Sequence, residues 1–211
     1  MNRLLAGMRT RIVAALAVVV LLAGCTGGAY SFESSPADVP EDALADAGYE
    51  DAEPEPFTIN ESIEVAGVSA DVTATSWTAT YPNPDRQSSL VVASTPDATV
   101  AGQSVNPVVR LSNEELLQRV LSQAEQAGGP NASDVEVVGS ETRTVLGAET
   151  EVTTFATTTQ VEGEDVPLRV HLATVAHEGD VVVLVGVHPA AVDEKATLLD
   201  LMESVDHQGS E

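Results

Sequence analysis

The stretch that decides the fold is Val181-Val182-Val183-Leu184-Val185, five consecutive apolar residues with no polar position among them. A strand with one face in water alternates apolar and polar residues, whereas a strand covered on both faces is apolar throughout. This run therefore predicts a central strand at about residues 181–187, with further structure packed on both of its sides.

Three Val- and Thr-rich runs precede this strand, at about residues 135–146, 149–161 and 166–177. The runs are separated by Gly147, by residues 162–165 and by residues 177–180, which are short segments containing glycine and acidic residues. Such short connections join antiparallel neighbours. The last third of the chain is therefore predicted to form a four-strand antiparallel meander.

A hairpin is predicted further upstream. Residues 68–81 alternate apolar and polar positions, which indicates a long strand. The turn residues Tyr81-Pro82-Asn83-Pro84-Asp85 end it, and a second strand follows at residues 89–95. The hairpin and the meander together predict a mainly antiparallel sheet of about six strands.

Two helices are predicted around these strands. Ser112-Asn113-Glu114-Glu115 has the spacing of a capping box, and a helical apolar pattern follows it until Gly128-Gly129-Pro130. Residues 190–205 carry a second helical pattern. The expected fold class is therefore α+β, in the order hairpin, helix, four-strand meander and C-terminal helix, with the helices packed on the sheet.

The N-terminus has the three parts of a secretory signal. Arg3, Arg9 and Arg11 precede an uncharged run over residues 12–24, and Leu22-Ala23-Gly24-Cys25 closes it. The run is shorter than the ~20 residues that cross a membrane as a helix. The closing motif resembles a lipobox, which implies that residues 1–24 are removed and that Cys25 carries a lipid. An uncleaved anchor and a plain secreted product are the alternatives.

The rest of the chain is predicted to contain one domain. Residues 25–56 are acidic and contain several prolines, which favours a solvated tether, with a short helical turn around Leu44 and Tyr49 as the alternative. Residues 57–207 have the size of a single domain, and residues 208–211 form a tail.

The charge indicates the solvent. The chain has 9 basic and 33 acidic residues, and removal of the predicted signal leaves six basic residues and a formal charge of −27. A phosphate backbone requires clustered lysine and arginine, so nucleic acid is excluded as a partner. Concentrated salt would screen the repulsion, with hydrated cations on the carboxylates. A halophilic archaeon is the expected source.

No catalytic motif is present in the sequence. His171 and His188 are predicted in neighbouring strands with His177 in the turn between them, so three imidazoles could meet a zinc ion. Ordinary histidines at the surface or at strand ends are favoured instead. We therefore predict no catalytic residues, no metal and no cofactor.

Five further residues are candidates for binding or modification. Trp77 and Tyr81 share a strand face and are expected either to anchor the core or to form a ligand platform. Asn106 lies in the long connection over residues 96–110, where any partner surface is expected first, although a well-packed connection without a partner is favoured. Asn60 and Asn131 begin N-glycosylation sequons.

Four segments of the sequence carry a resemblance to a known family. They are Thr75–Tyr81, Gly102–Pro107, Ser112–Leu117 and Val145–Thr150. These segments are similar to a family of haloarchaeal lipoproteins known only as a domain of unknown function. The order of the elements also resembles the PsbP-type sandwich, a non-catalytic fold of proteins that assist membrane-bound complexes.

These observations predict an extracytoplasmic lipoprotein, anchored to the outer face of the cell membrane through Cys25. Its expected role is non-catalytic binding or support of an envelope complex. The alternative is a small extracytoplasmic enzyme such as a metal-dependent hydrolase. Neither the ligand nor the partner follows from the sequence.

Overall fold

The computed structural model describes residues 28–65, 68–100, 102–126, 132–161 and 163–209. The predicted signal, Cys25 and the sequon residue Asn131 lie outside these residues. In the described ranges, no helix is both long enough and apolar enough to cross a membrane.

The described chain alternates strands with short helices. Its strands are β1 (Ala29–Glu33), β2 (Ala37–Asp38), β3 (Glu55–Val65), β4 (Val68–Asn83), β5 (Ser88–Pro96), β6 (Thr99–Val100), β7 (Gln103–Ser104), β8 (Ala132–Val145), β9 (Ala148–Val161), β10 (Glu164–His177), β11 (Asp180–Pro189) and β12 (Asp206–His207). Its α-helices are α1 (Glu41–Ala47), α2 (Asn113–Gln126) and α3 (Lys195–Glu203), and Pro107–Arg110 forms a 3-10 turn.

The predicted meander and hairpin are confirmed. The main sheet has the order β1-β4-β5-β11-β10-β9-β8, and β3 also pairs with β4. Strand β11 contains the apolar run quoted first, and it pairs antiparallel with β5 on one side and β10 on the other. Its central position explains why the run has no polar face.

The predicted sheet of six antiparallel strands is wrong in two respects. The main sheet has eight strands, and it is partly parallel. The backbone bonds Asp71 N to Gly28 O and Ser34 N to Thr75 O show that β1 runs parallel to β4. The two strands missing from the prediction, β1 and β3, precede residue 68, where acidic and proline residues obscure the alternation.

The two faces of the central sheet are covered by different helices. Helices α1 and α3 pack on one face, where Leu44 and Leu198 join a core with Leu184 of β11. Helix α2 packs on the other face, where Leu116 and Leu117 join a second core. The predicted capping box of α2 is confirmed, because Ser112 N donates to Glu115 Oε2 at 2.9 Å and Glu115 N donates to Ser112 Oγ at 3.3 Å.

The prediction of a tether over residues 25–56 is corrected for residues 37–49. Leu44 is 1 % exposed and packs in the core with Val39 and Tyr49. The Tyr49 hydroxyl donates to Glu194 Oε1 at 3.2 Å and shares a hydrogen bond of 2.8 Å with Ser88 Oγ. The segment therefore belongs to the folded domain, and the alternative of a short helical turn was the better interpretation.

Truncating Leu44 tests this packing. We expect Leu44→Ala to lower the free energy of unfolding by about 3 kcal/mol, because it leaves a cavity in the core. Val138→Ala on exposed β8 is the control, with an expected change below about 0.5 kcal/mol. Urea unfolding followed by circular dichroism measures both. Equal losses of stability in the two variants would contradict the packing of Leu44 and support a tether over this segment.

The chain divides into two compact units. The first contains Asn60–Thr73 together with the residues up to Tyr30, and the second contains Ser31–Ile59 and Ala74–Glu211. In the first unit, Thr73 Oγ1 donates to Asn60 Oδ1 at 2.9 Å, so the sequon residue Asn60 lies on an exposed part of β3. The sites described below lie in the second unit.

Candidate functional site

A cavity of about 300 Å³ lies on the sheet face that carries α3. Strands β9, β10 and β11, the connection after β11 and the first residue of α3 form its walls. The lining residues are Thr154, Arg169, His171, His188, Ala190, Ala191, Val192, Asp193 and Lys195. Helix α3 begins at Lys195 rather than near residue 190 as predicted, so residues 190–193 form a turn that walls the cavity.

Two buried histidines form the floor of this cavity. Antiparallel pairing of β10 with β11 sets Arg169 opposite His188, and pairing of β10 with β9 sets His171 opposite Thr154. The imidazole rings of His171 and His188 stack with centroids 5.2 Å apart and an interplanar angle of 15°. The two side chains are 1 % and 4 % exposed.

The hydrogen bonds of this pair occupy all four ring nitrogens. His188 Nδ1 donates to Pro189 O at 2.9 Å, because a carbonyl oxygen only accepts. With both rings neutral, His171 Nε2 donates to His188 Nε2 at 3.0 Å, and Thr154 Oγ1 donates to His171 Nδ1 at 3.0 Å. The partners fit two neutral rings, and they leave no ring nitrogen for a ligand or a metal.

The surroundings of His171 disfavour its charged form. The pKa of His171 is lowered to about 4, with burial as the largest cause and the neighbouring His188 as the next. The positive charges of Lys195 and Arg169 also lower this pKa, and the carboxylate of Glu141 opposes them. The imidazole is therefore a neutral structural group near pH 7.

The cavity has two cationic groups on its walls. Lys195, the only lysine of the chain, pairs with Glu141 at 3.4 Å, and Arg143 holds the same carboxylate at 3.4 Å. Arg169 is partly buried, and its Nη1 donates to Leu168 O at 3.3 Å. Within the described part of the chain, no carboxylate forms an ion pair with Arg169.

Trp77 and Tyr81, expected either to anchor the core or to form a ligand platform, and Asn106, expected near a partner surface, are all wholly or partly buried. Tyr81 is 0 % exposed, and its hydroxyl accepts from Val39 N at 3.1 Å, so it is a core residue. Trp77 lies on the same strand, is partly buried and donates through Nε1 to Ser34 O at 2.8 Å. Asn106 is buried and caps the 3-10 turn by accepting from Val108 N at 2.9 Å.

The three imidazoles considered for zinc do not converge. His177 is the last residue of β10, six positions after His171, and its Nδ1 is 3.0 Å from Nδ1 of His207. His207 Nε2 donates to Asp180 Oδ2 at 3.1 Å, and Ser35 N donates to the same oxygen at 2.9 Å. This second cluster fastens both ends of the domain to the β10–β11 turn. In the described residues, no three His, Cys, Asp or Glu side chains are grouped as metal ligands.

A family model described as a domain of unknown function, DUF6517, matches residues 36–206. The chain belongs to this family. The match begins inside the segment that the sequence indicated as a tether, which agrees with the packing of residues 37–49 in the DUF6517 domain. A search of curated proteins finds no match.

The cavity of this DUF6517 domain was only partly visible in the sequence. His171 and His188 were candidates, but Arg169, Thr154 and Lys195 were not. The signal that could have found Arg169 is the symmetry of the hairpin, because a turn at residues 178–179 places residue 169 opposite residue 188. Lys195 comes from a helix, and no strand pattern predicts its place.

Proposed function

We propose that the protein is a lipid-anchored lipoprotein on the outer face of the cell membrane, adapted to high salt. Its role is non-catalytic binding or support of an envelope complex. The cavity beside α3 is its binding site. The proposal also includes a haloarchaeal source and a likeness to the PsbP-type sandwich.

The sequence supports the proposed location on the outer face of the cell membrane. Three arginines, an uncharged run and Leu22-Ala23-Gly24-Cys25 stand in the order of a lipoprotein signal. The mature charge of −27 repels an anionic membrane surface, so the protein is attached to the bilayer through the lipid on Cys25.

The binding role is supported by one observation above others, the closed hydrogen-bond chain from Thr154 through His171 and His188 to Pro189 O. A general base needs a nitrogen that can reach the proton it removes. Here each ring nitrogen already has a fixed partner. Arg169 and Lys195 remain as the groups that contact a ligand, and they do so through their positive charges and N–H donors.

Replacing Cys25 tests the anchor. We expect Cys25→Ser to move the protein from the membrane fraction to the medium or to block its processing, because the thiol is the site of lipid attachment. Intact mass spectrometry of the wild type should show a chain that begins at Cys25 with added lipid mass. A chain without lipid mass, or one that retains Met1, would contradict the anchor.

The alternative enzyme makes a different prediction for the same purified protein. A metal-dependent hydrolase would contain about one zinc ion per chain, lost in His171→Ala. Elemental analysis after purification in high salt distinguishes the two proposals. Stoichiometric zinc that depends on His171 would replace the binding role with a catalytic one.

A further inference from the structure

We propose that the cavity beside α3 binds the oxyanion group of a small molecule, a carboxylate or a phosphate, with Arg169 and Lys195 as its positive groups. The proposal rests on the binding role proposed above and names the class of its ligand.

Arg169 is the first observation that carries this proposal. The chain has 33 acidic residues, and Arg86, Arg143 and Lys195 each pair with at least one carboxylate. Arg169 is partly buried on the cavity wall, yet among the described residues only the Leu168 carbonyl accepts from it. A guanidinium has five N–H donors in a planar fork that matches a carboxylate or a phosphate. Most of these donors are therefore available to a ligand.

The local field is the second observation. Lys195, Arg169 and Glu141 are the charged groups that act on His171 at the cavity floor, so two cations face one anion there. Glu141 is also held by Arg143, which leaves Lys195 able to share its charge with a ligand. Asp193 and Lys195 are both exposed, so water and salt screen both charges, whereas Arg169 is the partly buried cation of the wall. The site therefore favours an anion within a strongly acidic protein.

The size and chemistry of the cavity narrow the ligand further. A volume of about 300 Å³ is at the lower end for small-molecule sites, which suits a phosphate or a short carboxylic acid. A metal cation is disfavoured because the ring nitrogens of His171 and His188 are all engaged. Chloride lacks the paired oxygens that a guanidinium fork binds at two points.

The sole lysine provides a direct readout of this site. Reductive methylation with labelled formaldehyde keeps the positive charge and gives one lysine methyl signal in an NMR spectrum, distinct from that of any N-terminal amine. We expect sodium phosphate or sodium acetate to shift this signal saturably in the full-length mature protein at constant ionic strength. Added sodium chloride should produce no saturable shift. A shift with only phosphate or only acetate identifies which oxyanion the site binds. A shift with both shows that the site accepts carboxylates as well as phosphate.

Three variants make the test specific. Arg169→Gln should weaken binding at least tenfold. Arg169→Lys, which adds a second lysine methyl signal to that of Lys195, should retain part of the binding because the charge remains. Arg119→Gln removes the same charge from exposed α2 on the opposite sheet face and should bind like the wild type. Unfolding curves of each variant verify that it is folded.

Two results would overturn the oxyanion site. One is the absence of a saturable shift with both anions, and the other is equal affinity in the wild type and folded Arg169→Gln. Neither result concerns the lipid on Cys25, which mass spectrometry tests separately. The NMR titration can therefore rule out an oxyanion ligand without ruling out the lipid anchor.

Discussion

Lowering the salt from about 1 M to tens of millimolar should reduce the unfolding midpoint of the mature protein by about 10 °C or more. The Debye length rises over this range from about 3 Å to more than 10 Å. Two carboxylates ~10 Å apart repel by about 0.4 kcal/mol in water when they are not screened. A dozen such pairs would cost roughly 5 kcal/mol, which is comparable with the whole stability of a domain.

The structure contains a place where this repulsion acts directly. Asp206 of β12 lies opposite Asp38 of β2 in an antiparallel pair, where like charges are destabilising. Burial raises the pKa of Asp38 above its ordinary value, and the charges of Asp206 and Asp51 raise it further. In the described part of the chain, ion pairs involve few carboxylates, namely Glu141, Asp180, Glu194, Asp200 and Glu203.

Matched variants identify the cause of the salt dependence. Asp206→Asn removes the opposed charge and should reduce the loss of stability at low salt by more than Glu125→Gln, which changes an exposed residue of α2. Sodium and potassium chloride should rescue equally, because screening does not depend on the ion. Thermal unfolding followed by circular dichroism measures the wild type and both variants in each salt at high and low concentration. A midpoint independent of salt would remove the physical basis for a salt-adapted surface.

The central part of the fold was predictable because its signals are local. The apolar run at residues 181–185, the glycine turns and the capping box at Ser112 each depend on neighbours in the sequence, and each element is present. The segment around Leu44 was not predictable in the same way. Its buried residues Ala37, Val39, Leu44 and Tyr49 are separated by acidic and proline residues, and only the tertiary contact with α3 shows that they form a core.

The cavity was harder to predict than the sheet, because its chemistry depends on distant residues. Pairing of β10 with β11 places Arg169 beside His188, whereas the position of Lys195 depends on where α3 begins. The sequence showed three histidines that could in principle meet a zinc ion, although it favoured ordinary histidines at the surface or at strand ends. The hydrogen bonds of the folded chain join the nitrogens of His171 and His188 to Thr154, to each other and to Pro189, which leaves Arg169 and Lys195 as the groups available to a ligand.

Acidification from pH 8 to pH 5 at constant molar salt should lower the stability by about 2 kcal/mol through His171. Its pKa is about 4 in the folded protein and 6.5 in the unfolded chain, so the unfolded state takes up the proton first. The stabilising contribution is complete above pH 6.5 and is lost as the pH falls from 6.5 towards 4. The full loss approaches about 3 kcal/mol.

The acidic surface should act in the opposite direction at lower pH, and this separates the two effects. The pKa of Asp38 is raised in the folded state, so its protonation on acidification stabilises the domain. Ordinary carboxylates titrate near pH 4, below the range in which His171 begins to act. The wild type should therefore lose stability between pH 6.5 and 5, and this loss should slow or reverse near pH 4.

In His171→Gln, which carries no imidazole at this position, the loss between pH 6.5 and 5 should be smaller by about 2 kcal/mol, as measured by urea unfolding at each pH. Parallel curves for the two proteins would mean that His171 accepts a proton in the folded state as readily as in the unfolded chain, and that its burial beside Lys195 and Arg169 does not set its charge.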